Sequence, residues 1–451
     1  MKRIHFIAIG GSAMHNLAIA LHKKGYVVTG SDDVVFEPSS GRLARFGLLP
    51  ESMGWKVENI TPDLDAVILG MHAFVDNPEL LKAKELGLKI YSYPEYIYEQ
   101  TKDKLRVVIG GSHGKTTITS MILHVLNFYQ RDFDYLVGAQ LEGFDTMVKV
   151  TDEAPLIIIE GDEYLASPID RRPKFHLYKA NIAVISGIAW DHINVFPTFE
   201  NYIHQFDVFI DTIEPNGKLI YCETDPVLVE VVAKSDKEIE RIPYAIPEHE
   251  IKEGVTYLLP EETPLNVFGD HNLMNLAAAK LVCNQLDIST EDFLAAIKTF
   301  KGAGKRLELL FSENNTNIYK DFAHSPSKLK ATIDAVKSQF VGRRLIACIE
   351  LHTFSSLNKD FLLQYEHTMD MADEAIVYIN EKTFHQKKIP AFSELEVQTA
   401  FKNAKLQFFN DALNFEKYLL SLSFNNTNLL LMSSGNFGGI DLPKLAQELN
   451  K

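Results

Sequence analysis

The chain is poor in the features that would tie a secreted or membrane-bound protein together. Its three cysteines, Cys222, Cys283 and Cys348, are far apart and form no CxxC pair, which argues against a disulfide framework or zinc knuckle and fits a reducing cytoplasm. No apolar run approaches the ~20 residues of a membrane span. The run Ile4 to Ile9 stops at Gly10 with no cleavage signal after it, so it reads as a first buried strand rather than a signal peptide. Positive charge is also scarce, with 45 Lys and Arg against 60 Asp and Glu and a formal net charge of −15. A general nucleic-acid surface, which needs clustered cations to displace counterions, is thereby disfavoured, and anionic ligands must be held by local sites. Internal repeats, low-complexity tracts and long charge blocks are absent. What remains is an ordinary globular composition, 46% hydrophobic and 23% charged, in 451 residues. That is too long for one core and suits roughly three domains of about 150 residues.

The most informative stretch is Gly111-Ser112-His113-Gly114-Lys115-Thr116-Thr117, which follows the apolar run Arg106 to Ile109 and precedes the helical pattern Ile118 to Leu123. A strand, a glycine loop and a helix in this order form a nucleotide phosphate cradle. The glycines let backbone N–H groups close around phosphate oxygens, and the helix N-terminus adds a favourable dipole. Lys115 meets the β/γ charge, and Thr116 is placed to hold Mg²⁺. The common P-loop has a glycine five positions before Gly114, where this chain has Ile109; here the loop is shortened to begin at Gly111.

Three α/β segments are expected. Residues 1–104 alternate short strands (Ile4 to Ile9, Tyr26 to Thr29, Leu64 to Leu69, Lys89 to Ser92) with helices, the pattern of a Rossmann-like doubly wound unit. Its first turn is Gly10-Gly11-Ser12, with Ala8 and Ala13 at the usual first and third glycine positions, and Ser31-Asp32 ends the second strand. Residues 105–304 carry the P-loop, with strands at Leu156 to Glu160 and Ile182 to Ser186. Beyond them lie Glu160-Gly161-Asp162-Glu163 and Asp191-His192. Acids and an imidazole just past parallel strands converge at the ligand edge of such a sheet. Thr116 and Glu163 are suitable Mg²⁺ ligands there, and His192 is a softer one. Residues 305–451 form a third α/β unit with strands at Leu345 to Ile349, Glu374 to Tyr378 and Asn428 to Met432. The last of these runs into Ser433-Ser434-Gly435-Asn436-Phe437-Gly438-Gly439.

The short loop, of the form G-[ST]-[HN]-G-K-T-T, resembles the Mur ligase family, ATP-dependent amide-bond-forming enzymes of cell-wall synthesis. The resemblance implies a three-domain architecture with a Rossmann-like N-terminal domain, a central P-loop ATPase domain and a Rossmann-like C-terminal domain. It also implies ATP and Mg²⁺ as cofactors, and UDP-N-acetylmuramate with a peptide or amino-acid amine as substrates. Gly10, Gly11, Ser12, Ser31 and Asp32, with Asn77-Pro78-Glu79 nearby, are then expected to hold the UDP end. Phe268-Gly269-Asp270-His271-Asn272 is readable as a loop and helix cap, but resembles the family's adenine-side motif, which assigns His271 and Asn272 to ATP. Glu163 and His192 are carried over to the metals. Arg306, beside Lys305, and Asp321 are expected to reach ATP when the third domain closes. Lys115, Glu163 and His192 form the expected catalytic set.

Departures from the family pattern are Gly187 where many members have Asn, Leu165 in place of a second Asp, and Ser325 within Ala323-His324-Ser325-Pro326. No lysine lies between Lys179 and Lys218, so a carbamylated lysine in that stretch is not expected. Within the family, Glu160 to Tyr164, Asp170 to Phe175, Asp191 to Phe196 and Ser434 to Ile440 resemble the recycling branch. That branch joins UDP-N-acetylmuramate to the tripeptide L-alanyl-γ-D-glutamyl-meso-diaminopimelate. Addition of L-alanine is the alternative, and a non-catalytic nucleotide-binding homologue a further one. Arg171, Arg172 and Lys174 are either a solvated loop or contacts for the acidic peptide.

Overall fold

Short apolar runs broken by glycine become parallel strands, and the polar edges of those runs become the loops that carry chemistry. The computed structural model describes residues 1–141, 143–190, 195–304, 306–313, 315–387 and 390–449. They divide into two compact units, Met1–Ala245 with Asn275–Ala296, and Ile246–Met274 with Ile297–Lys451. Among the described residues no helix is long and apolar enough to cross a membrane.

In the first unit β1 (Arg3–Ile7), β2 (Val27–Ser31), β3 (Ala66–Leu69) and β4 (Ile90–Ser92) form a parallel sheet in the order β2-β1-β3-β4. A second sheet holds β5 (Leu105–Gly110), β6 (Asp134–Leu136), β7 (Val148–Lys149), β8 (Leu156–Glu160), β9 (Ile182–Ile185), β10 (Lys218–Cys222) and β11 (Glu240–Tyr244). Its order is β11-β10-β9-β5-β8-β6-β7, parallel throughout except for the β6–β7 pair. Val107 to Ile109, Ile157 to Ile159 and Ile182 to Ile185 are buried, the continuous apolar pattern of strands covered on both faces. Because β5 lies between β8 and β9, the loops after all three gather at one carboxyl edge, where ligands of doubly wound sheets bind.

Arg106 fastens the junction between the two sheets. Its guanidinium is buried and donates to the carbonyls of Thr101, Lys102, Lys104, Tyr178 and Lys179, and to Glu214 Oε1 at 3.0 Å.

In the second unit β12 (His249–Lys252), β13 (Val255–Leu258) and β14 (Thr263–Leu265) make an antiparallel sheet. A larger sheet holds β15 (Glu308–Glu313), β16 (Thr316–Asp321), β17 (Arg344–Glu350), β18 (Glu374–Tyr378), β19 (Gln407–Phe409) and β20 (Thr427–Met432). Its order is β15-β16-β20-β17-β18-β19, with only β15–β16 antiparallel. Leu345, Ala347 and Ile349 enter one core cluster, and Ile346 and Cys348 the other. Alternation along one strand thus feeds both faces of the sheet.

The expected strands are present with ends shifted by a residue or two. The segment readable as a loop and helix cap leads into the helix Asp270–Gln285, which already includes His271 and Asn272. The sheet β12–β14 was not anticipated, because its strands are polar and half exposed, as in His249-Glu250-Ile251-Lys252.

Candidate active site

The phosphate loop leaves β5 and enters the helix Lys115–Phe128, whose N-cap is Gly114 with no side chain bonded to the first-turn amides. Uncapped N–H groups at this end suit an anionic ligand. Two glycines are required by their surroundings. Gly111 has φ +119°, and a Cβ there would lie 2.7 Å from the Ser186 backbone nitrogen. Gly114 has φ +80°, and a Cβ would strike the Asn275 carboxamide. Both conformations lie in the left-handed region that side chains disfavour.

Lys115 Nζ donates to the Gly111 carbonyl at 2.6 Å and to Glu163 Oε2 at 2.7 Å. Burial alone would depress the ammonium's pKa, but Glu163, with Asp162 and Glu160 behind it, more than offsets this, so the pKa stands above the usual lysine value. Thr116 Oγ1 donates to Glu160 Oε1 at 2.7 Å, and Gly138 N–H donates to Glu160 Oε2 at 2.7 Å. Burial raises the Glu160 pKa against those two hydrogen bonds. With its O–H directed at Glu160, the Thr116 hydroxyl keeps its lone pairs for a cation. Glu163 is 1% exposed and also accepts from the Tyr202 hydroxyl at 3.2 Å. That hydroxyl lies 2.8 Å from Ser112 Oγ, which accepts the Ala189 N–H at 2.9 Å. Ser186 Oγ donates to the His113 carbonyl. Thr117, the next residue of the expected cradle, is buried in the first turn of the helix.

The oxygens of Thr116, Glu160 and Glu163 fit Mg²⁺, which takes one or two carboxylates and leaves its other positions to water and phosphate. Among the described residues no group of three or more His, Cys, Asp and Glu side chains is placed to hold a metal ion. Asp191 and His192 lie outside the described residues, and so does Lys305.

Gly187, one of the departures from the family pattern, has φ +144°, and a Cβ there would sit 3.0 Å from Asp225 Oδ2. The same carboxylate accepts the Ile188 N–H at 2.7 Å. An Asn at this position would be strained, so the glycine is set by the local turn. Leu165, another departure, is buried and bridges Pro173. Of the basic trio, Arg172 forks onto Asp170 and reaches Glu95 at 3.4 Å, while Lys174 pairs with Asp162 at 2.9 Å. Arg171 is exposed on a groove of about 460 Å³ shared with His176, Gln205 and Thr212.

At the first turn of the N-terminal sheet, Gly10 N–H donates to Asp32 Oδ2 at 2.7 Å, and a Cβ on Gly10 would lie 2.9 Å from that oxygen. Gly11 caps the helix Ser12–Lys23 without a side-chain bond, and Ser12 is exposed. Ser31 is buried, donates to Glu79 at 2.7 Å and lies 2.9 Å from His5 Nε2. Asn77 caps the helix Pro78–Glu85. The Asn-Pro-Glu segment therefore ties this helix to β1 and β2.

In the second unit Asp321 accepts the Leu307 and Ala323 N–H groups, each at 2.7 Å. Arg306 lies over the Phe322 ring at 5.1 Å. His271 is held below the usual imidazole pKa by burial, and Asn272 Nδ2 donates to the Phe268 carbonyl at 2.9 Å. The glycine loop after β20 is pinned by Glu350 Oε2, which accepts the Phe437 N–H at 2.8 Å.

Sequence reasoning missed Tyr202, Ser186, Asn275 and Asp225. Tyr202 lies on the buried face of the helix Phe199–Asp211 with Phe206, Phe209 and Ile210. By spacing it is a core aromatic, and only its hydroxyl belongs to the site. Glu160 was legible as an acid ending an apolar strand, whereas Asn275 lies three residues beyond the His271-Asn272 pair, and that closeness was its only signal.

A lysine and a threonine on a glycine-bounded helix start, each held by an acid at or just beyond the end of the neighbouring strand, define a P-loop nucleotide-using enzyme. A model described as the Mur ligase family catalytic domain matches residues 3–104, and one for the Mur ligase middle domain matches residues 109–283. The UDP-N-acetylmuramate–L-alanine ligase of Sulfurihydrogenibium sp. is 30% identical over 388 residues, 84% of this chain and 82% of that protein. The UDP-N-acetylmuramate–L-alanyl-gamma-D-glutamyl-meso-2,6-diaminoheptandioate ligase of Haemophilus influenzae is 28% identical over 464 residues, 98% of each. The solved UDP-N-acetylmuramate-alanine ligase of Thermotoga maritima matches in fold with a TM-score of 0.68 at 19% identity, covering 100% of this chain and 98% of that one. The chain belongs to the Mur ligase family and has its three-domain fold. It is an ATP-dependent amide-bond-forming ligase, as members of this family are.

Proposed function

We propose that this enzyme joins UDP-N-acetylmuramate to the tripeptide L-alanyl-γ-D-glutamyl-meso-diaminopimelate in the cytoplasm, in peptidoglycan recycling. The reading assigns residues 1–104 to the UDP end, 105–304 to ATP and 305–451 to a C-terminal ligase domain that closes over the nucleotide. The observation that carries it is the full-length match to the Haemophilus influenzae peptide ligase, 98% of both chains. The likeness of segments 160–175 and 434–440 to the recycling branch supports it. The L-alanine reading is favoured by the 30% identity to the Sulfurihydrogenibium enzyme, and the L-alanine ligase of Carboxydothermus hydrogenoformans also matches over 98% of this chain at 28% identity.

In this mechanism the sugar's lactyl carboxylate attacks the γ-phosphorus of ATP, ADP leaves, and the peptide amine displaces phosphate from the resulting acyl phosphate. Lys115 turns from Glu163 to the phosphates and offsets the charge that develops on them. Gly111 to Thr117 present backbone N–H groups and the helix N-terminus. Thr116 and Glu163, with His192 as a further donor, would hold Mg²⁺, which when bound would supply Lewis-acid charge at the transferred phosphoryl group. Glu160 orients the Thr116 hydroxyl. His271 and Asn272 serve the adenine side, Arg306 and Asp321 the nucleotide on closure. Gly10, Gly11, Ser12, Ser31 and Asp32 serve the UDP end.

The test supplies UDP-N-acetylmuramate, ATP and Mg²⁺ with saturating tripeptide or saturating L-alanine in parallel, and follows phosphate release and product mass. Faster turnover with tripeptide is expected. Faster turnover with L-alanine would assign the chain to the alanine-adding branch.

A further inference from the structure

We propose that Tyr202 is a positioning residue that fixes the orientation of Glu163 while Lys115 is handed from Glu163 to the nucleotide. The proposal rests on the reading of Lys115 and Glu163 above. Its observation is a directional chain of hydrogen bonds: the Ala189 N–H donates to Ser112 Oγ at 2.9 Å, Ser112 meets the Tyr202 hydroxyl at 2.8 Å, and Tyr202 donates to Glu163 Oε1 at 3.2 Å. The other carboxylate oxygen, Oε2, is bound by Lys115 at 2.7 Å.

Phosphate draws Lys115 away, because a P-loop lysine serves the β/γ charge. The carboxylate that Lys115 leaves must keep its orientation if it is to serve a cation. Tyr202 serves this, since its hydroxyl donates to Oε1 and holds that oxygen in place. Oε2, vacated by Lys115, is then presented to the cation in one orientation. The aromatic body of Tyr202 is fully buried, 5.3 Å from the Phe206 ring and 5.4 Å from the Phe196 ring. The hydroxyl can therefore be removed without removing the packing. Ser112 extends the chain into the phosphate loop, so the loop and the carboxylate are positioned together.

The experiment compares Tyr202→Phe with Glu163→Gln in the full-length enzyme. Two quantities are read: the Mg²⁺ concentration giving half-maximal turnover, and the affinity of Mn²⁺ for the ADP-bound protein by electron paramagnetic resonance. Tyr202→Phe is expected to raise the Mg²⁺ midpoint and weaken Mn²⁺ binding by about 3- to 10-fold, the scale of outer-shell changes at metal sites. kcat should fall, while KM for UDP-N-acetylmuramate and the melting temperature stay near wild type. A merely structural role would instead lower the melting temperature and leave the metal midpoint unmoved. If Glu163→Gln weakens Mn²⁺ binding and Tyr202→Phe does not, the positioning proposal is wrong and the reading of Glu163 stands. If neither changes it, both fall.

Discussion

At the scale of single residues, the two loop glycines differ in what an added methyl would meet, and this separates them experimentally. Gly111 and Gly114 both have positive φ, so an alanine at either costs about 1 kcal/mol in backbone conformation. The Cβ at Gly111 then faces the Ser186 main chain in β9's exit, which is fixed by the hydrogen bond from Ser186 N to the Gly110 carbonyl at 3.1 Å. The Cβ at Gly114 faces the side-chain amide of Asn275, which can swing aside. Gly111→Ala is therefore expected to lower the melting temperature more than Gly114→Ala. The defect of Gly114→Ala should be partly relieved by adding Asn275→Ala, whereas Asn275→Ala should do nothing for Gly111→Ala. Thermal unfolding of the four variants checks this, and equal losses with no rescue would contradict it. The site was legible in sequence at this scale only where backbone chemistry left a signature. Gly111, Gly114, Lys115 and Thr116 announce themselves by order along the chain. Tyr202 does not, because an aromatic on the apolar face of a helix reads as core whether or not its hydroxyl has work to do.

At the scale of elements, apolar continuity made the buried strands readable. The limits expected for Leu156 to Glu160 and Glu374 to Tyr378 coincide with β8 and β18, because each is bounded by residues that stop an apolar run. The strands β12 to β14 pair as successive short hairpins, but they carry polar, half-exposed side chains, so no apolar run marks them. Arg106 shows the same limit: a charge at the start of an apolar strand reads as an exposed edge, yet it is 2% exposed and serves as donor to five carbonyls and Glu214. Arg106→Met keeps the aliphatic stem but leaves those buried acceptors without a donor. Each unmet acceptor costs on the order of 1 kcal/mol or more, so a loss of at least ~3 kcal/mol in urea unfolding is expected. A loss under ~1 kcal/mol would mean that water replaces the guanidinium freely.

At the scale of the whole molecule, three substrates must be brought to one reacting centre, and the energy for that assembly comes from parts of the substrates remote from the new bond. An enzyme whose amine substrate is a tripeptide has the γ-glutamyl and diaminopimelyl carboxylates available for such contacts. A free alanine offers only its methyl group and α-carboxylate. Binding energy of this kind is used to orient the amine against the acyl phosphate and to favour domain closure, so its loss appears in kcat as well as in KM. Shortening the peptide from its carboxyl end, first to L-alanyl-γ-D-glutamate and then to L-alanine, is therefore expected to lower kcat at saturating amine at each step. The overall fall in kcat/KM should reach several powers of ten, since each tenfold step corresponds to about 1.4 kcal/mol of lost transition-state stabilisation. Steady-state phosphate release across the three amines measures this. A kcat that stays constant while KM alone rises would mean that the distal residues contribute only uniform binding. A kcat highest for L-alanine would mean that the site is shaped around the single amino acid, and the tripeptide assignment would be withdrawn.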